Sequence, residues 1–210
     1  GLWKPGETVK SVRFNGDIAT VVTYQQTDPF YTIDLSNPKD PKISGALEIP
    51  GFSTYQHPWT DNLVIGIGYD AENGRTTGLK FALYDISDPN NPIEVGEPLV
   101  YDYSTYSYGE ALYNHKAIMI DKDRGQIGLS LYGNYYYNNN YVNEYLILGI
   151  DESRENPIYL RYSLSHSAYV REDENYFNYK YNIERGIRID DYLYLISGGV
   201  ITSHNLEGEI

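Results

Sequence analysis

The sequence predicts an all-β fold, a β-propeller of four blades with about four antiparallel strands each. Two observations predict it. The first is an internal repeat of about fifty residues. Tyr31-Thr32-Ile33-Asp34-Leu35-Ser36-Asn37-Pro38-Lys39-Asp40-Pro41 and Ala82-Leu83-Tyr84-Asp85-Ile86-Ser87-Asp88-Pro89-Asn90-Asn91-Pro92 share the frame Asp-apolar-Ser-Asx-Pro-x-Asx-Pro, offset by 51 residues. The second is residue usage. The 210 residues hold 24 Tyr against 5 Phe and 2 Trp, and tyrosine suits half-buried strands where the ring packs and the hydroxyl stays wet.

The frame itself describes a strand that stops. Ser and Asx side chains bond the local backbone and favour a turn, and two prolines cannot donate to a continuing ladder. A new strand then starts, over residues 43–49 in one copy and 93–100 in the other. A decayed third copy runs from Ile147-Leu148-Gly149-Ile150-Asp151 through Glu155-Asn156-Pro157 into residues 158–164, and a fourth begins at Val200-Ile201-Thr202-Ser203.

Upstream of each copy lies an apolar stretch, a short polar turn and an alternating strand. The turns are Asn15-Gly16, Asp61-Asn62, the run from Lys122 to Gly125, and Asp190-Asp191. Asx-Gly and Asp-rich turns between β-rich runs are hairpin signals. In the third copy the apolar stretch is residues 111–120, read as a strand. Blades are expected at about residues 1–50, 51–100, 101–165 and 166–210, probing a fold that an all-β sandwich would rival but would not build from repeats. Two insertions interrupt the third blade, residues 132–141 and 165–182, and should project as long loops or extended hairpins.

The strings Gly1-Leu2-Trp3-Lys4-Pro5-Gly6-Glu7, Thr27-Asp28-Pro29-Phe30, Pro50-Gly51-Phe52-Ser53-Thr54-Tyr55 and Glu110-Ala111-Leu112-Tyr113-Asn114-His115-Lys116-Ala117 carry a family resemblance over most of residues 1–132. The chain resembles secreted bacterial and archaeal proteins with a C-terminal β-propeller domain distantly related to WD-type repeats. That resemblance implies export, a place in the latter part of a longer propeller, and no assigned activity. An extracellular or cell-envelope location is the corresponding expectation.

Composition narrows the partners. The net charge of −13 repels nucleic acid and anionic lipid. Cations, basic proteins and neutral glycans stay open. No Cys is present, which removes disulfide frameworks and Cys nucleophiles. No apolar stretch approaches the 18 or so residues that span a bilayer, so no membrane insertion is expected within this segment. Missing outer strands at both ends of the repeat suggest a homodimer through sheet edges or closure into a ring.

No catalytic motif of a hydrolase, metalloprotease or phosphate-binding loop is found. The candidate ligand-binding residues are His57 and His115, aligned in the second and third repeats as Tyr55-Gln56-His57-Pro58-Trp59 and Tyr113-Asn114-His115-Lys116-Ala117, each before a strand with Ile-Gly (Ile65-Gly66, Ile127-Gly128). Glu110 is the nearest carboxylate to orient His115, and Trp59 is read as core at the end of an inner strand. His166 and His204 are read as surface residues and Trp3 as a peg for the N-terminal segment. Tyr135, Tyr136, Tyr137 and Tyr141 in the Tyr/Asn tract offer ring faces beside amides, a combination suited to sugar rings and to binding loops. Asp34, Asp85, Asp121 and Asp123 supply hard oxygens of the kind calcium takes, although turn chemistry alone accounts for them.

These residues point to a non-catalytic, secreted or cell-surface recognition or scaffolding module that meets a protein or a glycan. Two other readings remain, a hydrolase with its site in the propeller channel at His57, His115 and Glu110, and a structural spacer of an envelope protein.

Overall fold

The structure, a computed structural model, describes residues 6–24, 28–135, 140–170 and 179–206, and of residues 28, 134, 135, 140 and 141 the backbone alone. The chain is all-β, folded as four antiparallel sheets. The sheets fall in two compact units, one of Gly1–Tyr101 with Glu152–Ile158 and one of Asp102–Asp151 with Tyr159–Ile210.

In the first unit, β1 (Thr8–Asn15), β2 (Ile18–Tyr24), β3 (Asp28–Asp34) and β4 (Lys42–Ile49) pair in sequence order. The Asn15↔Ile18 pair closes a two-residue hairpin at Gly16, whose φ of 60° suits the tight turn. The second sheet contains β5 (Phe52–Pro58), β6 (Leu63–Glu72), β7 (Arg75–Asp85) and β8 (Ile93–Glu94) in order, with β9 (Leu99–Asp102) also pairing with β7.

The repeated frame makes the same turn twice. Asp34 Oδ1 accepts from the Ser36 amide at 2.8 Å, and Asp85 Oδ1 from the Ser87 amide at 2.7 Å. The Asp40 amide then donates to the Asn37 carbonyl, and the Asn91 amide to the Asp88 carbonyl, both at 2.9 Å. Each side chain thus takes the amide that would have continued the ladder, and the strand ends there.

The two sheets of this unit share a core of Val22, Phe30, Ile49, Val64, Ala82, Tyr84 and Ile86. Burying each large side chain contributes about 1.5–3 kcal/mol. Their inner strands are also tied by polar contacts. Ser11 Oγ donates to the Ser53 carbonyl at 2.6 Å and accepts from Gln56 Nε2 at 2.9 Å.

A second feature of the repeat emerges only in three dimensions. Gly45 and Gly96 each stand four residues after the last proline of the frame. A Cβ on Gly45 would lie 2.5 Å from the Pro89 carbonyl oxygen and 2.7 Å from Pro92 Cδ, and one on Gly96 would lie 2.3 Å from the Glu155 oxygen and 2.9 Å from Pro157 Cδ. The proline turn of one repeat therefore seats against a glycine of the repeat before it. Hydrogen bonds fix both seats, from Thr32 Oγ1 to the Pro89 carbonyl and from the Glu97 amide to the Glu155 carbonyl at 2.8 Å.

In the second unit, β10 (Met119–Asp121), β11 (Gln126–Tyr135), β12 (Asn140–Ile150) and β13 (Ile158–Leu164) form one sheet, and β14 (Ile183–Ile189), β15 (Tyr192–Ser197) and β16 (Ile201–Asn205) a three-stranded second. They share a core of Met119, Tyr145, Ile147, Ile183, Leu193, Leu195 and Leu206. The first insertion continues the β11–β12 hairpin as far as the Tyr135↔Asn140 pair. In the second, residues 171–178 lie outside the described residues, as do the N-terminal segment with Trp3 and the tract tyrosines Tyr136 and Tyr137.

Two expected strands differ. Residues 93–100, expected as one strand, form only β8 and, after a break, the start of β9 at Leu99. Of residues 111–120 only the last two belong to β10, and those before it form two short 3-10 turns, Glu110–Leu112 and His115–Ala117. Asn114 is the cause, because its side chain accepts from the Lys116 amide at 3.1 Å and starts the second turn. Among the described residues no helix is long and apolar enough to cross a membrane.

Candidate ligand-binding site

The residues that precede β10 build a surface cluster within the second unit. Asp102 opens the segment with an Asx turn, its Oδ1 accepting from the Ser104 amide at 2.7 Å. Tyr106 is buried and donates its hydroxyl to Glu144 on β12. Tyr108 then bridges Tyr132 of β11 through main-chain bonds in both directions, at 3.1 and 2.8 Å. The chain is thereby fixed before it enters the first 3-10 turn, which buries Ala111 and Leu112 and leaves Glu110 at the surface.

The Glu110 carboxylate is held on three sides. Arg185 of β14 donates from Nη1 and Nη2 to its two oxygens, each at 2.9 Å, and Asn114 Nδ2 donates to Oε1 at 2.7 Å. This bidentate geometry fixes direction as well as charge. The Arg185 guanidinium first of all holds the Glu110 carboxyl below the usual carboxylate range; burial opposes it, and the Asn114 bond adds a smaller lowering. Arg185 is raised in turn, chiefly by the same bond.

Three tyrosines border this ion pair. The rings of Tyr108 and Tyr113 lie 6.1 Å apart and within 21° of parallel, and Tyr108 and Tyr132 lie 5.7 Å apart. Tyr108 is 45% and Tyr113 69% exposed. Tyr132 is half-buried, and its hydroxyl donates to the Ile183 carbonyl at 3.3 Å. Burial, followed by the charges of Glu110 and Glu184, pushes its phenol up. The cluster thus offers aromatic surface, a neutralised ion pair and an amide within one patch.

The histidine alignment does not survive the strand register. His57 on β5 stands opposite Ile65 of β6, whereas the residue opposite the aligned Ile127 of β11 is Ile120. His115 lies five residues earlier in an exposed 3-10 turn, because the inner strand of that sheet is cut to three residues. His57 is half-buried with Nδ1 3.0 Å from the Tyr55 hydroxyl. Glu110 binds Arg185 and Asn114 in place of the expected contact with His115. Trp59 is half-buried just beyond β5. Tyr135 and Tyr141 stand on β11 and β12, paired at the end of the long hairpin with Asn140 and Asn134.

His166 corrects another expectation. It is 1% exposed, not a surface residue, with Nδ1 3.0 Å from Ser197 Oγ and Nε2 2.9 Å from Thr202 Oγ1. His204 is half-buried beside it, Nε2 2.9 Å from the same Thr202 hydroxyl.

The acidic candidates have partners of their own. Asp34 and Asp85 hold the turn amides described above, and the Ser36 contact keeps the Asp34 carboxyl below its usual range. Asp121, 2% exposed, accepts from Arg188 Nη1 and from Gln126 Nε2 at 3.2 Å, with Arg124 Nη1 at 3.8 Å, and Asp123 lies 3.4 Å from Arg188. Two guanidiniums around one carboxylate repel a further cation. Among the described residues no three His, Asp or Glu side chains gather as a metal site.

Arg185, Tyr108 and Tyr113 had escaped notice in the sequence. Arg185 is 75 residues from Glu110, and no local signal joins them. Tyr113 falls within residues 111–120, expected as a strand, whereas Asn114 starts a 3-10 turn there.

Comparison with known proteins agrees with this architecture. An uncharacterised protein of Methanocaldococcus jannaschii is 38% identical over 197 residues, which are 94% of this chain and 26% of that protein. An uncharacterised protein of Archaeoglobus fulgidus is 43% identical over 119 residues, 57% of this chain and 18% of that protein. The chain thus spans about a quarter or less of the length of these curated relatives. The family model described as beta propeller domain matches residues 1–208, and the chain belongs to that family.

Proposed function

We propose that this domain is a non-catalytic recognition module, secreted or displayed at the cell surface, that binds a neutral glycan at the Tyr108–Tyr113 patch. The observation that carries the reading is the exposed, near-parallel tyrosine pair beside the Glu110–Arg185 ion pair. Tyrosine faces pack on the apolar faces of sugar rings, and fixed carboxylate, guanidinium and amide groups take the hydroxyls. The ion pair is neutral as a unit, and a net charge of −13 disfavours acidic glycans.

A glycan array, followed by titration calorimetry on its best neutral oligosaccharide, tests this. Tyr113→Ala should weaken binding about three- to tenfold, since aromatic stacking is worth about 0.5–1.5 kcal/mol. Tyr192→Ala, an exposed tyrosine of β15 outside the patch, should leave it unchanged. An array without binding, or equal affinity in Tyr113→Ala, would overturn the assignment.

A further inference from the structure

The row formed by His166, Thr202 and His204 has no part in that patch. It joins residues 165–170, which follow β13, to the ends of β15 and β16. Ser197 Oγ is placed to donate to the Val200 carbonyl at 3.1 Å; with its hydrogen there, His166 Nδ1 is the donor to Ser197. His166 Nε2 is then the acceptor for the Thr202 hydroxyl, and Thr202 oxygen accepts from His204 Nε2–H. Every bond runs one way, from half-buried His204 inward.

In that polarity His166 Nε2 is an acceptor, so a second proton enters only if the row reverses. A hydrogen on its Nε2 requires Thr202 to turn and donate to His204 Nε2, which must then hold its own hydrogen on Nδ1. The balanced route has three moves. A solvent proton binds His204 Nδ1, the Nε2 hydrogen of His204 passes to Thr202 oxygen, and the Thr202 hydrogen passes to His166 Nε2. His204 ends neutral and His166 charged.

We propose that this row is a pH-responsive latch, which holds residues 165–170 to β15 and β16 while the His166 imidazole is neutral and releases them when the proton reaches His166. Among the described residues no carboxylate is a hydrogen-bond partner of His166 to compensate the charge in a site 1% exposed. The other titratable groups on elements packed here are equally unhelpful. Tyr169 meets His166 edge to face at 5.8 Å, and Lys180 and Tyr181 lie against the Gly198–Gly199 turn between β15 and β16. Ser197 and His166 also do not form a nucleophilic pair, because the hydroxyl hydrogen is on Val200 and Nε2 faces Thr202 where an orienting acid would be needed.

Burial first, and the neighbouring His204 second, hold the His166 imidazole below the usual histidine range. A base whose folded value is depressed contributes stability above its unfolded value of about 6.5, and that contribution is lost as pH falls from there through the folded value.

The experiment uses the whole chain. NMR titration follows the imidazoles, and hydrogen exchange follows the amides of Tyr169 and Val170, which donate to the His166 and Ser167 carbonyls. His166 should protonate below about 6.5, and the protection factors of both amides, corrected for intrinsic exchange, should fall up to about tenfold per pH unit in that window. In His166→Gln, which keeps one donor and one acceptor, protection should not change between pH 7.5 and 5.5. His166 titrating at or above the ordinary range, or flat protection in the unmodified chain, would overturn the latch without bearing on the tyrosine patch. The unmodified chain decides the matter even if the variant does not fold.

Discussion

The ring of Tyr145 on β12 occupies the place where a side chain on Gly186 of β14 would stand. Its Cζ and hydroxyl oxygen both lie 2.2 Å from an ideal Cβ there, and the hydroxyl lies 2.7 Å from one on Gly128 of β11. A buried tyrosine is thus housed between two glycines of facing strands. Gly186→Ala should destabilise the second unit by about 3 kcal/mol in urea unfolding, as overpacking does. Tyr145→Phe should do the opposite, because its hydroxyl is buried with no hydrogen-bond partner among the described residues. A gain of about 1 kcal/mol is expected. The double variant should recover only part of the loss, since Cζ keeps its place.

Gly45→Ala and Gly96→Ala make a second pair of expected outcomes. In each the nearest atom is a backbone oxygen of a proline turn, which cannot step aside as a side-chain end can. Each variant should lose about 2–3 kcal/mol, and thermal unfolding read by circular dichroism checks both. The two losses should be additive to within about half a kcal/mol if the joints are independent.

Asp121 should prove the most sensitive carboxylate in the chain to neutralisation. It is fully buried between Arg188, Arg124 and Gln126. Asp121→Asn removes the buried counter-charge that the two guanidiniums share, leaving them Asp191 and Asp123 at the surface, at a cost of about 3 kcal/mol. Asp123→Asn, at an exposed carboxylate on the same Arg188, should cost under about 1 kcal/mol. Urea unfolding of the two variants separates a structural ion pair from surface decoration.

The Glu110–Arg185 pair sets a pH dependence of its own. Because the Glu110 carboxyl is held below its usual range, its contribution is present above the unfolded value of about 4.3 and is lost as pH falls through the folded value. Carboxyl-carbon NMR should find Glu110 titrating below that figure in the unmodified chain and nearer to it in Arg185→Gln. The same substitution should weaken glycan binding, which links the electrostatics to the patch.

What was legible in the sequence is what short-range chemistry decides. The turns at Asp34 and Asp85 could be read because each side chain binds an amide two residues on. The hairpin at Gly16 likewise needs only its neighbours. The segment before β10 was misread because its apolar residues, Ala111, Leu112 and Ala117, are buried from 3-10 turns as well as they would be from a strand. His166 was misread for a different reason. It has no counterpart in the other repeats, and the hydroxyls that satisfy it stand 31 and 36 residues away. Contacts of that range leave no mark on a single sequence unless the repeat itself copies them.

The seating of each proline turn on a glycine of the preceding repeat has an evolutionary consequence. A single repeat carries a socket for its successor and a peg for its predecessor, so a gene that grows or shrinks by whole units conserves every joint. Arg161 stands at the socket position of the third repeat, four residues after Pro157, and its guanidinium reaches Gln126 at 3.2 Å. Tandem duplication of the first two repeats would leave working joints, whereas a copy inserted after the third repeat would meet a long charged side chain. The lineage of this domain should therefore vary in unit number ahead of Arg161 and stay fixed behind it.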